Sequence, residues 1–283
     1  MKTAKVLVFS LLLVFLTSAL IFGCGNQKST SSDSKKANIM QQIKERGKVV
    51  VATEAALEPV EFVQDGKIVG YGADILQEIV KNMGVELDQK DVPFNGIFAG
   101  LEEKKFDFIA TSLTVTPERK EKFGMTTPVL DGTFVVLIAE NNDSIKTLDD
   151  LNGKIMGGAA GSAVDAKHKE VDAKFKAEGK QGFKEIKQYQ SHPDMYIDLK
   201  NGRVDAIVID DYLAKVIMKK EPNTYKIAFT YGDKAYLSWA TRKEDKELLE
   251  FLNKEILKLK SSGKLAELQK KWFGQTFDLP DTI

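Results

Sequence analysis

The densest run of residues able to do chemistry lies between Val92 and Pro128, where VPFNGIFAGLEEKKFDFIATSLTVTPERKEKFGMTTP brings hydroxyls and a guanidinium into quick succession. A strand expected over Phe106–Ala110 runs into Thr111-Ser112-Leu113-Thr114. Pro117-Glu118-Arg119 follows, with proline in a helix's first turn and Thr116 placed to cap it. Hydroxyls, backbone N–H groups and a guanidinium therefore meet at one strand end. That is anion-binding chemistry: Arg119 can grip a carboxylate through two parallel N–H bonds while Thr114 and nearby amides donate to the same oxygens. The same residues suit a capped surface helix with a solvated arginine, and the local sequence leaves the two readings level.

Two further stretches are candidates. Gly157-Gly158-Ala159-Ala160-Gly161-Ser162 follows a strand expected over Lys154–Met156 and precedes a helix beginning near Ala163. Glycines let a backbone approach a ligand, and helix N-terminal amides favour an anion, but on local sequence a plain tight turn is the better reading of the run. It lacks the spacing of nucleotide-binding glycine loops. In Arg203-Val204-Asp205-Ala206-Ile207-Val208-Ile209-Asp210-Asp211 an apolar strand ends in paired carboxylates just before a helix expected over Tyr212–Lys219. Asp210 could accept the hydrogen bonds of an ammonium group; capping of that helix by Asp210 or Asp211 is the alternative.

These groups must be positioned by alternating strands and helices. Val49-Val50-Val51 reads as a strand, and Ala73–Met83 as a helix with Ile75, Ile79 and Val80 on one face, ended by Gly84. Further strands are expected at Val85–Leu87, Phe134–Ala139, Phe183–Ile186 and Ala206–Ile209. Two C-terminal helices are expected over Glu247–Lys260 and Leu265–Phe273, broken by Ser261-Ser262-Gly263. The pattern is α/β with room for two sheets.

The 41 basic residues balance 41 acidic ones, so whole-chain charge singles out neither nucleic acid nor a membrane surface as partner, and a small neutral or zwitterionic ligand fits better. Lys2 and Lys5 precede an apolar run from Val6 to about Phe22, the layout of a secretory signal. Gly23 stands directly before Cys24, the chain's one cysteine, and this resembles the lipobox at which bacterial lipoproteins are cleaved and acylated. Residues 1–23 are thus expected to be a lipoprotein signal peptide, Cys24 to carry lipid such as palmitate, and residues 24–38 to form a polar, flexible tether. A single cysteine excludes a disulfide within the chain and a Cys-based zinc site, and no metal or cofactor is expected.

Taken in order and spacing, these stretches resemble the solute-binding proteins, family 3, that serve polar amino acid ABC transporters. The likeness runs from about Ile39 to Gly274. Its most specific block is Pro93–Arg119, then Leu199–Asp210 (LKNGRVDAIVID), supported by Gly70-Tyr71-Gly72-Ala73-Asp74-Ile75 and Lys271-Trp272-Phe273-Gly274. The resemblance implies a periplasmic-binding-protein fold of class II, two α/β lobes joined by a two-segment hinge. Residues 39–129 and 237–283 would form the first lobe and residues 133–231 the second, with hinges near 130–132 and 232–236. Gly132 suits a hinge through its conformational freedom. The implied function is extracytoplasmic capture of a small amino acid for an ABC permease and ATPase by a lipid-anchored monomer, without nucleic acid.

By the same resemblance Arg119, Thr114 and the Ser112 amide hold the ligand carboxylate, with the Gly161 and Ser162 amides completing that site. Asp210 holds the ammonium from the opposite lobe, and Phe94 packs on the side chain. Glu54, Leu57, Thr111 and Gly157 complete the expected binding set. Two departures stand out: Glu54 and Leu57 replace the family's aspartate and an aromatic three residues on, and Gly72 replaces an aspartate used by some cation-preferring members. Glu54 and Glu58 restore carboxylates on a neighbouring loop, so lysine or arginine stays open as ligand, with a solvent-facing Glu58 as the alternative.

Two rival roles remain. A few relatives on this fold are cyclohexadienyl or arogenate dehydratases, for which Glu54, Asp165, Asp210 or Asp211 could serve as acid. Against this, Ala163-Val164 stands where those enzymes carry Asn-Glu. The clamp could also present its ligand to a membrane sensor. No GxSxG or HExxH pattern is present; His168 in its lysine-rich helix reads as a solvated face, and His192 before Pro193 as a turn residue near the expected cleft edge.

Overall fold

The computed structural model describes residues 38–283. The expected signal peptide, the Cys24 lipid site and all but the last residue of the tether lie outside the described residues. No helix among those described is long and apolar enough to cross a membrane.

The chain enters through α1 (Ile39–Arg46), capped by Asn38, whose side chain accepts from the Gln41 amide. It then builds β1 (Lys48–Thr53), a hairpin region β2 (Ala56–Leu57), β3 (Glu61–Gln64) and β4 (Lys67–Val69), α2 (Tyr71–Met83), β5 (Glu86–Asp91) and α3 (Phe94–Glu102). After β6 (Phe108–Thr114), α4 (Pro117–Lys122), β7 (Phe123–Met125) and β8 (Leu130–Asp131) it crosses to a second sheet. That half holds β9 (Phe134–Ala139), β10 (Ile155–Ala159), α5 (Ala163–Ala177), β11 (Glu185–Tyr189), α6 (His192–Lys200), β12 (Ala206–Asp210), α7 (Asp211–Lys220) and β13 (Tyr225–Thr230). The return strand β14 (Tyr236–Arg242) rejoins the first sheet, and α8 (Lys246–Ser261) and α9 (Lys264–Phe273) close over it.

The first sheet has the order β5-β1-β6-β14-β7, with β8 paired to β14, and the second the order β11-β10-β12-β9-β13. Within them β5-β1-β6 and β11-β10-β12 are parallel, whereas β14 and β9 run antiparallel to their neighbours. The result is a two-lobed α/β fold of the periplasmic-binding-protein kind, each lobe carrying its own sheet. Central strands buried on both faces read as unbroken apolar runs, which is why β9 and β12 are so legible.

Amphipathic spacing explains the helices. Ile75, Leu76, Ile79, Val80 and Met83 bury one face of α2, and Gly84 ends it in the left-handed region, with its N–H donating to the Val80 carbonyl. Leu248, Leu252, Ile256 and Leu259 do the same for α8. Strand β14 was not expected from the sequence, because Ser238, Thr241 and Arg242 interrupt its apolar run. All three are buried; Arg242 is satisfied by the Leu101 and Phe106 carbonyls and by Asp245.

Several expectations shift. The strand placed at Phe106–Ala110 runs from Phe108 to Thr114, so the hydroxyl residues lie on the strand rather than beyond it. The strand placed at Lys154–Met156 extends to Ala159 and absorbs Gly157 and Gly158. Those placed at Val85–Leu87 and Phe183–Ile186 lie at Glu86–Asp91 and Glu185–Tyr189, because both are edge strands whose exposed and half-buried positions tolerate polar residues. His168 is not solvated: it is fully buried, with Nδ1 at 3.0 Å from the Tyr231 hydroxyl and Nε2 at 3.4 Å from the Gly157 carbonyl. Burial lowers its pKa.

The two crossings between sheets run side by side. Asp131 pairs with Tyr236, and the Gly132 N–H donates to the Ala235 carbonyl at 2.9 Å. Gly132 does not adopt the left-handed conformation; a Cβ there would lie 2.6 Å from Leu237 Cδ2. Its glycine is required by close approach rather than by backbone freedom. Gly132→Ala is therefore expected to cost about 1–3 kcal/mol of stability through overpacking, measured by denaturant unfolding.

Candidate functional site

A cavity of about 220 Å³ lies where the two lobes face each other. It is smaller than the roughly 300–1,000 Å³ clefts that take drug-sized molecules, so it suits a compact solute. From the first lobe, Glu54 just after β1, Leu57 of β2, Phe94 at the start of α3, and Ser112 and Thr114 on β6 line it, with Arg119 from α4. From the second lobe come Ser162, the first residues of α5 and Asp210.

Arg119 is fixed from three sides. Thr116 caps α4 by accepting from the Arg119 N–H at 3.2 Å. The guanidinium donates through Nη1 to the Thr114 carbonyl at 2.8 Å and lies 5.6 and 5.1 Å from the ring centres of Phe94 and Phe98. It forms no ion pair among the described residues. Burial lowers its pKa to about 10, so it remains a cation at neutral pH. Its remaining donors are available to a carboxylate.

Asp210 stands at the N-cap position of α7 but makes no capping bond, and its Oδ1 is enclosed without a partner. Asp211 does not cap either; it pairs with Lys215 at 2.6 Å. Burial first, then the nearby Asp131 and Asp211 charges, raise the Asp210 pKa to about 8. An ammonium group is the chemical partner that this enclosed acceptor lacks.

The other expected residues divide. Ser162 lines the cavity, but its hydroxyl and N–H both turn back to the Ala159 carbonyl, at 2.7 and 3.3 Å, so its amide is committed to the loop. The open donors there are the first amides of α5, at Ala163 and Val164. Gly157, Gly161 and Thr111 do not line the cavity. Gly157 is buried in β10, Gly161 makes an exposed left-handed turn, and Thr111 is buried beneath the floor.

Three features escaped sequence reading. His192 is the first residue of α6 rather than part of a turn; it lines the cavity, and burial lowers its pKa to about 4, keeping the imidazole neutral. Ser191 before His192-Pro193 is a helix-start signal that could have placed it. Tyr189 and Gln190 join the wall because β11 runs past its expected end. The third is Glu61. A Cβ on Gly72 would lie 2.0 Å from Glu61 Oε1, so this carboxylate fills the space a side chain at position 72 would take. Glu61 is buried, its Oε2 lies 3.3 Å from Ser112 Oγ, and burial raises its pKa to about 8. Glu58, by contrast, pairs with Lys220 of the other lobe at 2.6 Å on the exposed surface.

Residues 49–275 match the model of the bacterial extracellular solute-binding proteins, family 3. The L-cystine-binding protein TcyJ of Escherichia coli is 31% identical over 238 residues, covering 83% of this chain and 86% of the relative. A mutant of ArgBP from T. maritima, a protein also solved with arginine bound, superposes with a TM-score of 0.74 at 35% identity, covering 83% of this chain and 99% of that one. The ancestral amino acid-binding protein AncCDT-1, described as a precursor of cyclohexadienyl dehydratase, gives a TM-score of 0.74 at 27% identity, covering 84% and 100%.

The raised carboxyl groups make stability pH-dependent. Burial pushes Asp210 up to about 8 and Glu54 up to about 7. Between the ordinary range near 4 and those values, the folded protein holds protons that the unfolded chain has released. The unfolded state then binds fewer protons, so stability falls as pH rises. The ligand-free protein is expected to lose stability from about pH 5 to pH 8. Asp210→Asn, neutral throughout, should flatten that loss and be the more stable of the two at pH 8. Denaturant unfolding across pH checks this, and parallel curves would contradict it.

Proposed function

The chain belongs to the bacterial extracellular solute-binding proteins, family 3, and on that premise we propose that it is the substrate-binding component of an ABC importer for a small amino acid. One observation carries the reading: Arg119 and Asp210 face the same cavity from opposite lobes, and neither finds its counter-charge within the protein. An α-amino acid supplies both missing partners, its carboxylate to Arg119 and its ammonium to Asp210. The α5 amides assist the carboxylate, and Phe94 packs against the side chain. Each lobe then holds half of one zwitterion, so binding favours closure about the crossings at 130–132 and 232–236.

Glu54 leaves a further carboxylate in the wall, which supports a ligand with a second cationic group, arginine or lysine among them. The likeness to cystine- and arginine-binding relatives is consistent with a polar side chain of that length. Delivery is to a membrane permease with its ATPase, from a monomer anchored outside the cytoplasm by lipid on Cys24. The Gly23-Cys24 junction is what supports the anchor. A dehydratase role has one observation in its favour: burial keeps the Glu54 and Asp210 carboxyls able to carry protons near neutral pH, as a general acid must.

A thermal-shift screen against the amino acids, L-cystine and prephenate separates these readings. A solute at a hundred times its dissociation constant should add about 2.7 kcal/mol of stability. Arg119→Ala is expected to weaken binding by about 2–5 kcal/mol and abolish the response. Prephenate turnover without any amino-acid response would overturn the importer reading.

A further inference from the structure

Beside the solute cavity lies a second space, a groove of about 350 Å³ between the lobes. Leu57 and His192 line both, so the two spaces adjoin and one side chain from each lobe stands between them. Leu57 comes from β2 of the first lobe, and His192 opens α6 of the second. This partition carries no charge: Leu57 is a hydrocarbon, and the His192 imidazole, kept neutral by burial, lies 6.3 Å from the Tyr196 ring and makes no hydrogen bond among the described residues. On the far side the groove has apolar walls and a charged edge. Tyr196 and Ile197 of α6 and Val216 and Ile217 of α7 supply the walls, and Ile197 is 51% exposed, whereas side chains of its kind are mostly buried in this fold. Glu58 of the first lobe and Lys220 of the second meet at the edge at 2.6 Å, both half exposed.

The groove thus repeats the chemistry of the cavity at a distance. Each space has an acid on one lobe and a base on the other, and the wall they share is uncharged. We propose that the groove is a second subsite, which takes the far half of a solute bearing an α-amino acid group at each end. The near end sits on Arg119 and Asp210, the linker passes between Leu57 and His192, and the far ammonium and carboxylate meet Glu58 and Lys220. The proposal rests on the amino-acid reading above and narrows it to elongated, two-headed solutes with an uncharged linker, such as two amino acids joined through a disulfide or thioether. The cavity of about 220 Å³ then needs to hold only one head. A zwitterionic head inserted at the edge gives Glu58 and Lys220 one new partner each, so no charge is left unpaired. The linker supplies most of the added affinity, because burial of apolar surface stabilises in proportion to its area, while the solvent-screened pair adds orientation more than strength.

Isothermal titration calorimetry of L-cystine against S-methyl-L-cysteine, which has one head and ends where the linker begins, tests this. The protein should bind L-cystine at least about tenfold more tightly. Ala56 is exposed and lines the groove but not the cavity, so Ala56→Trp fills the groove without disturbing the core. That variant should erase the advantage of L-cystine and leave S-methyl-L-cysteine binding unaltered. Lys220→Ala, at another exposed position, should weaken L-cystine binding about two- to fivefold. L-cystine bound no more tightly than S-methyl-L-cysteine, or both solutes weakened alike by Ala56→Trp, overturns the proposal and leaves the amino-acid reading standing. No response to any amino acid overturns both. A solute-free dimer in sedimentation velocity that Ala56→Trp dissociates puts a second copy of the chain in the groove and also overturns the proposal.

Discussion

A buried guanidinium and a buried carboxyl that holds its proton near neutral pH, kept apart on two lobes, govern this molecule. Arg119 and Asp210 are each partly withdrawn from water, each short of a counter-ion, and each placed on a different lobe. Burying a charge without a partner is costly: Asp210 avoids that cost by holding its proton, and Arg119, still a cation, is steadied by its supports. Thr116 caps the Arg119 backbone, the Thr114 carbonyl and two phenylalanine rings hold the guanidinium, and the end of β12 and the start of α7 fix the Asp210 carboxyl. Neither group can turn away to find relief. On the amino-acid reading proposed above, a solute bearing an ammonium and a carboxylate supplies a partner to both.

The lobes are joined so that such relief is possible without remaking either core. The crossings lie side by side and are hydrogen-bonded to each other, with Asp131 paired to Tyr236. Apolar packing continues across the seam through Tyr71, Phe273 and Tyr212. At the mouth, the exposed pair of Glu58 and Lys220 contributes little by itself, as solvent-screened ion pairs do.

Much of the fold was legible because its signals are local. The apolar runs of β9 and β12 and the amphipathic faces of α2 and α8 are set by spacing alone. Strand β14 was not, since its buried Thr241 and Arg242 are tolerated only by partners distant in sequence, such as the Leu101 and Phe106 carbonyls. The cavity-lining residues Ser112, Thr114, Arg119 and Asp210 were visible as hydroxyls and charged groups near strand and helix ends. His192 was hidden by a strand boundary misplaced by three residues, and His168 by lysines that flank it on the other faces of α5. Gly157 and Ser162 offered small side chains and free amides on paper, but β10 and the loop's own hydrogen bonds consume them.

Gly72 and Glu61 stand eleven residues apart and share one volume, the carboxylate of one occupying the place a side chain of the other would fill. Charge in a protein interior thus has an address in space that need not coincide with its address in the chain. The resemblance leads one to expect an acid at position 72, and the volume beside Gly72 holds the Glu61 carboxyl instead. For proteins of this architecture, ligand preference is better inferred by asking which volumes are charged than by asking which positions are.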